Sequence, residues 1–255
     1  MGGATALKTI RIVLLAGVAA LVLGGCAANR GGMAPAEVSG QTRAQPQQSI
    51  VELMAFYRAN PLDRAAIIRY ADALRAAGQP EQAASVLENG IAAHPDDVGI
   101  KVAYAKALTA AGRLDQALNI ANAAIDPATP DWNALLVKGA ILDQSGRSEE
   151  ARAVYRQGLL IAPGEASLEA NLGLSYTMTN DLVRAEQHLR RAAGMRGANT
   201  TIRQNLALVV GLQGRLDESR ELFARELVAE QVEANMAYIR SLLTQQNRWD
   251  LIRKG

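Results

Sequence analysis

From residue 49 onward the apolar and polar positions do not follow one continuous helical stripe; they recur with a period of 34 residues. Gly78, Gly112, Gly146, Asn180 and Gly214 stand 34 residues apart, and the same neighbours return around each of them. Seven places before each lies a small residue: Ala71, Ala105, Gly139, Gly173 and Ala207. Five places after come Ala83, Ala117, Ala151, Ala185 and Ser219; nine after, Leu87, Ala121, Tyr155, Leu189 and Phe223. Twelve after come Gly90, Ala124, Gly158, Ala192 and Glu226. A fixed period of this length marks stacked units, none of which can bury its apolar face alone.

The columns predict two helices per unit. Small residues let antiparallel helices approach closely, and larger ones such as Leu74, Leu108, Leu142, Tyr176 and Val210 fill the space beside them. The glycine, or Asn180 in its place, suits the left-handed backbone that ends a first helix. Pro95 and Pro163 stop two of the second helices, and Pro130 stands one place late in another. The pattern resembles the tetratricopeptide repeat. That resemblance implies an all-α, right-handed solenoid of about five helix pairs, with units 64–97, 98–131, 132–165, 166–199 and 200–233. Ser49 to Ala59 reads as the second helix of a degenerate leading repeat. Val232, Met236, Ile239 and Leu243 fall at helical spacing and predict a capping helix in the C-terminal segment 234–255, closing the array that spans 49–233.

In the tetratricopeptide family a partner-binding groove is formed mainly by positions 2, 5, 9, 12 and 13 of each unit. The first units place mixed residues there, including Ile68, Asp72, Arg75, Val102 and Lys106. Toward the C-terminus the positions become apolar: Leu136, Leu174, Met178, Leu208 and Leu212 make a candidate protein-binding strip. It suits an amphipathic helix or extended peptide, or else the chain's own C-terminal helix covers it. Ile68, Val102 and Asp72 are wrong for a charged clamp on acidic peptide tails.

The first 25 residues read as an export signal. Lys8 and Arg11 make a basic start, residues 12–23 are almost wholly apolar, and Gly24 and Gly25 precede Cys26, the only cysteine. The run is too short to span a bilayer, which takes about 20 apolar residues. Leu23, Gly24, Gly25 and Cys26 resemble the lipobox of bacterial lipoproteins. The resemblance implies lipidation of Cys26, cleavage before it, and acylation of the new amino terminus. Ala27 stands where aspartate would resemble an inner-membrane retention signal, so the implied destination is the outer membrane, facing the periplasm. Residues 26–48 are rich in Gly, Gln, Pro and Ala and read as a flexible tether. As a coil its 22 residues after the cysteine would hold their ends about 25 Å apart.

Removing the signal takes Lys8 and Arg11 from 27 basic residues and leaves 25 against 25 acidic ones, a formal charge of zero. A neutral chain without a basic stripe offers no electrostatic footprint for nucleic acid. With Cys26 lipidated no disulfide can form, so stability rests on packing. No metal, cofactor or small-molecule site is expected: no second cysteine, phosphate-binding glycine loop or serine elbow is present. His94 and His188 have no acidic partner in a recognised pattern and read as surface residues. No catalytic residue is assigned, and the chain reads as a non-enzyme.

The lipobox, the repeats and the ending EANMAYIRSLLTQQNRWDLI at residues 233–252 together resemble the TadD family. Its members are tetratricopeptide lipoproteins of the tight adherence, or Flp, pilus assembly system. The resemblance implies a scaffold that assists assembly or localisation of the outer-membrane secretin. Two other roles suit the same architecture: an adaptor lipoprotein for outer-membrane barrel assembly, and a regulator of cell-wall enzymes.

Overall fold

The computed structural model describes residues 49–254; the signal segment, the lipobox with Cys26, and the tether lie outside them. Among the described residues there are twelve α-helices and no strand. They are α1 (Ile50–Ala59), α2 (Arg64–Ala76), α3 (Pro80–Ala93), α4 (Val98–Ala110), α5 (Leu114–Ala123) and α6 (Trp132–Gln144). Then follow α7 (Ser148–Ile161), α8 (Ala166–Met178), α9 (Leu182–Gly194), α10 (Thr200–Leu212), α11 (Leu216–Ala224) and α12 (Ala229–Lys254). The chain divides into two compact bodies within α6, after Ile141.

The helix boundaries follow local chemistry that repeats with the period. The first helix of each pair starts at Arg64, Val98, Trp132, Ala166 and Thr200. Just before four of these stand Asp63, Asp97, Asp131 and Asn199, whose side chains accept from Ala66 N (2.7 Å), Ile100 N (2.8 Å), Ala134 N (2.9 Å) and Ile202 N (2.9 Å). Each satisfies an amide that the helix leaves without an internal partner. Glu165, at the same place, makes no such bond. The other ends are set by the residues of the 34-residue column. Gly78, Gly112, Gly146, Asn180 and Gly214 all have positive φ, between 61° and 85°. Gly78 N donates to Arg75 O and Gln79 N to Leu74 O, and the same pair of bonds closes α4, α6 and α8. This is the Schellman closure, in which the left-handed residue turns the chain back and satisfies the last carbonyls.

In the first body α1 packs on α2, α2 pairs with α3, α3 lies against α4, and α4 pairs with α5. One core runs through them, including Ile67, Leu74, Leu87, Ile100, Leu108 and Ile141. The small columns are where backbones meet. A Cβ on Gly90 would stand 2.8 Å from Ile67 Cγ2 and 3.4 Å from Ile100 Cγ2, so α3 wedges between the first helices of two successive units. Arg64 Nε reaches across to the cap Asp97, 2.5 Å away. Burial works to raise the Asp97 carboxyl, but the Arg64 and Ile100 hydrogen bonds outweigh it and hold the group below its ordinary value.

The second body repeats the scheme: α7 against α8, α8 paired with α9, α9 against α10, and α10 paired with α11. The capping helix α12 packs on both α10 and α11. Its Val232, Met236 and Ile239 join Ala207, Leu208 and Phe223 in one buried cluster, with Leu212 and Leu243 at its edge. Gly211 gives Ile239 its place, since a Cβ there would lie 2.7 Å from Ile239 Cδ1.

Unlike the first, the second body carries a polar core. The Asp143 carboxylate accepts from Tyr155 Oη (3.0 Å) and Ser175 Oγ (2.8 Å). Arg152, 3% exposed, donates to Ser175 O and Thr179 Oγ1, both at 3.1 Å, lies 4.6 Å from the Tyr176 ring centre, and pairs with Glu149. Desolvation raises the Asp143 carboxyl despite these donors, and pushes the Tyr155 phenol far up. His188, read from the sequence as a surface residue without an acidic partner, is half-buried: its Nδ1 lies 2.8 Å from Glu169 Oε1, and its ring stacks on Tyr176 at 5.3 Å. The partner lies on the neighbouring helix, nineteen residues back, where sequence adjacency does not reveal it. His94 is anchored by its Nε2, 2.7 Å from Leu62 O.

Two stability measurements test this packing. A Cβ on Gly173 would meet Leu189 Cγ at 2.9 Å and the Ala185 carbonyl oxygen at 3.1 Å, and the backbone atom has little room to yield. Gly173→Ala is expected to cost about 1–3 kcal/mol in urea unfolding, as overpacked sites do. Glu186 is held down to about 2 from an ordinary 4.5, first by the Arg215 hydrogen bond and then by Gln213 and Arg190. A depressed carboxylate stabilises the fold fully above its unfolded value and loses that contribution as pH falls toward the folded one. The melting temperature should therefore drop between about pH 5 and pH 2, and Glu186→Gln should flatten that drop while lowering the melting temperature at neutral pH.

Candidate partner-binding faces

In the first body the groove-face positions lie on α2 and α4. Asp72 and Arg75 stand on α2, with Arg75 Nη2 3.5 Å from Asp72 Oδ1. Arg75 Nε is buried and has no hydrogen-bond partner among the described residues. Lys106, on α4, is half-buried. Desolvation lowers its amine, Asp72 favours the charged form, and Arg75 opposes it. Beneath these charges Ile68 is half-buried and Val102 is buried in the core. Thr109 is buried too, its Oγ1 donating to Ala105 O at 2.6 Å. The result is an exposed Asp72 beside the half-buried Arg75 and Lys106, charges able to take a polar segment of mixed charge. Leu136, the first member of the predicted apolar strip, is half-buried on α6 in this same body.

The other four members of the strip belong to the second body. On α8, Leu174 is 3% exposed and Met178 is half-buried. On α10, Leu208 is 6% exposed within the cluster built with Val232, Met236 and Ile239, and Leu212 packs against that cluster. The C-terminal helix α12 thus occupies the ground over Leu208 and Leu212. Met178 keeps an accessible surface, beside the buried Ala170 and Thr177 of the same helix. Asp143 also falls at a groove-face position, but its carboxylate is turned to Tyr155 and Ser175 and is 4% exposed. The one hint of this in the sequence is Tyr155, in a column otherwise apolar: a phenol buried there needs an acceptor.

Among the described residues no group of three or more His, Cys, Asp or Glu side chains could hold a metal ion, and no helix is long and apolar enough to cross a membrane. The His188, Glu169 and Arg191 contacts close on themselves. Glu169 Oε1 takes both His188 Nδ1 and Arg191 Nε, at 2.8 and 2.7 Å, and is buried by them. The group ties α8 to α9.

Family models of the tetratricopeptide repeat match residues 74–139 and 133–165. Among solved structures, the chain is similar to a thermophilic tetratricopeptide protein of Thermus thermophilus. There the TM-score is 0.62 and the identity 21%, over 69% of this chain and 98% of that one. A tetratricopeptide protein of Parabacteroides merdae matches at TM-score 0.58 and 15% identity, over 78% and 79% of the two chains. Pseudomonas aeruginosa PilF matches at TM-score 0.54 and 16% identity, over 72% and 91%. At these identities the likeness is one of fold. Among curated proteins none matches the sequence. The repeat matches over residues 74–165, the 34-residue register of caps and left-handed closures, and the shared fold together give the described residues the tetratricopeptide-repeat fold.

Proposed function

We propose that this chain is a non-enzymatic scaffold lipoprotein, held by lipid on Cys26 at the periplasmic face of the outer membrane, where it assists assembly or localisation of the Flp pilus secretin. The observation that carries the reading is the order of features along one chain. A basic start, an apolar run and Leu23-Gly24-Gly25-Cys26 lead into a polar tether; the repeats follow, then an ending at 233–252 similar to that of the TadD family. The fold supports the general part, since tetratricopeptide repeats present helix faces to protein partners and are generally scaffolds. The half-buried Lys106 and Arg75 and the exposed Asp72 offer a partner a polar contact, and Met178 and Leu136 offer apolar ones, each within its own body. Two or more acyl chains would make the anchor stable, at about 0.8 kcal/mol per buried methylene. The tether would then keep the repeats near the membrane surface.

The anchor and the partner are tested separately. Cys26→Ser is expected to move the chain from the outer-membrane fraction to the soluble periplasm. Retention on washed outer membranes, with no partner holding it there, would overturn the lipid anchor. Affinity purification of the wild-type chain from cross-linked envelopes is expected to recover the secretin. Recovery of barrel-assembly subunits, or of a cell-wall hydrolase or synthase, in its place would overturn the pilus assignment and leave the scaffold role standing.

A further inference from the structure

The first body carries a second recess, away from the groove-face positions. It has a volume of about 370 Å³ and is lined by Met54, Tyr57 and Arg58 of α1, Tyr70 and Leu74 of α2, and residues of α3. Tyr57 and Tyr70 are half-buried, with their rings stacked 5.3 Å apart at 24°. The α3 wall presents Gln82, Ser85 and Asn89 at intervals of three and four residues, so that they share one helix face. Gln82 and Asn89 are exposed, and neither amide is engaged in a hydrogen bond among the described residues. Ser85 has spent its proton on Glu81 O, 3.1 Å away. Arg58 is the single charged residue in the lining; it is exposed and has no ion-pair partner among the described residues.

The corresponding recess of the second body differs in kind. It is lined by Arg190, Arg203, Arg225 and Glu226 around Leu206 and Leu222, with no aromatic ring. Arg203 is paired with Glu226 at 2.6 Å, and Arg190 with Glu186 and Glu218. Two of its three arginines are held in ion pairs; the lone charge of the first recess, Arg58, is in none among the described residues.

Arg58 supplies only donors, the two amides supply donors and acceptors alike, and the walls carry aromatic rings. A fitting ligand presents carbonyl acceptors, apolar rings that pack on tyrosine, and a negative charge for Arg58. A proline-rich strand in the polyproline II conformation has these properties: it makes no internal hydrogen bonds, leaves its carbonyls outward, and docks on aromatic-lined grooves at low entropic cost. We propose that the α1–α2–α3 recess is a docking site for an extended, proline-rich, acidic segment of a partner protein, with prolines on Tyr57 and Tyr70, carbonyls on Gln82 and Asn89, and a carboxylate on Arg58. This site is independent of the pilus assignment and of the groove-face positions.

Fluorescence anisotropy on the full chain in detergent micelles tests it, with labelled peptides of three Pro-Pro-Glu, three Ala-Ala-Glu or three Pro-Pro-Lys units as probes. Pro-Pro-Glu is expected to bind about tenfold more tightly than either control, a difference of about 1.4 kcal/mol. Arg58→Ala and Asn89→Ala alter exposed side chains and should leave the melting curve unchanged. Each should weaken Pro-Pro-Glu binding by about three- to tenfold, the loss of one hydrogen-bonding partner. Tyr70→Phe keeps the ring and should preserve binding, whereas Tyr70→Ala should abolish it. Equal binding of Ala-Ala-Glu, indifference to Arg58→Ala and Asn89→Ala, or no binding of Pro-Pro-Glu at millimolar peptide would each overturn the proposal.

Discussion

Close approach of backbones at the small-residue columns is the constraint on which the rest of the structure depends. A methyl group at Gly90 would overlap Ile67, and one at Gly173 would press on Leu189 and a carbonyl; outside those columns, one at Gly211 would displace Ile239. Packing at that distance works only if each helix ends where the next can turn back. The left-handed residues at 78, 112, 146, 180 and 214 provide that turn. Asn180 does so without being glycine, as its short polar side chain allows. The capping side chains at 63, 97, 131 and 199 then fix where the following first helices begin.

The two bodies meet this constraint with different interiors. The first has an apolar core in which Thr109 is buried with its hydroxyl on its own helix's Ala105 carbonyl. The second buries an aspartate, an arginine and a tyrosine phenol in one hydrogen-bonded group. Such a group requires full pairing, because a carboxylate or guanidinium without partners in a dry interior costs several kcal/mol. Asp143 meets it with donors from two helices. Arg152 meets it with a carbonyl, a hydroxyl, a ring face and one carboxylate, leaving only Nε unpaired. Its neighbours are therefore specified more narrowly than an apolar core would require, and Ser175 occupies a fully buried position that packing alone would fill with alanine.

Recognition on such a scaffold depends on which side chains the packing leaves over. Leu208 and Leu212 have the composition of a binding strip, yet α12 packs on them, since a last helix pair with an open apolar face would not be soluble. Lys106 and Arg75 remain accessible on the first body, at the cost of part of their hydration. The stacked tyrosines at the start of the array have beside them two amides and an arginine that no side chain among the described residues claims.

The sequence by itself determined the all-helical repeat, its 34-residue register, the glycine and Asn180 closures, and the existence of a capping helix. These rest on spacing and on backbone preferences, which are local and repeat in every unit. Asp63, Asp97, Asp131 and Asn199 recur at the same period, but it is the structure that shows their side chains on the helix amides, while Glu165 at the same place makes no such bond. The tertiary structure alone decided how the residues of that register pair across helices. Glu169 faces His188, Asp143 receives Tyr155 and Ser175, and Leu208 lies under Met236 and Ile239. Partners of this kind sit from 12 to 32 residues apart, on neighbouring helices, and their choice follows from helix rotation and side-chain volume, which periodicity does not encode. The same sequence pattern therefore admits an open strip or a covered one, and at Leu208 the packing of α12 on α10 covers it.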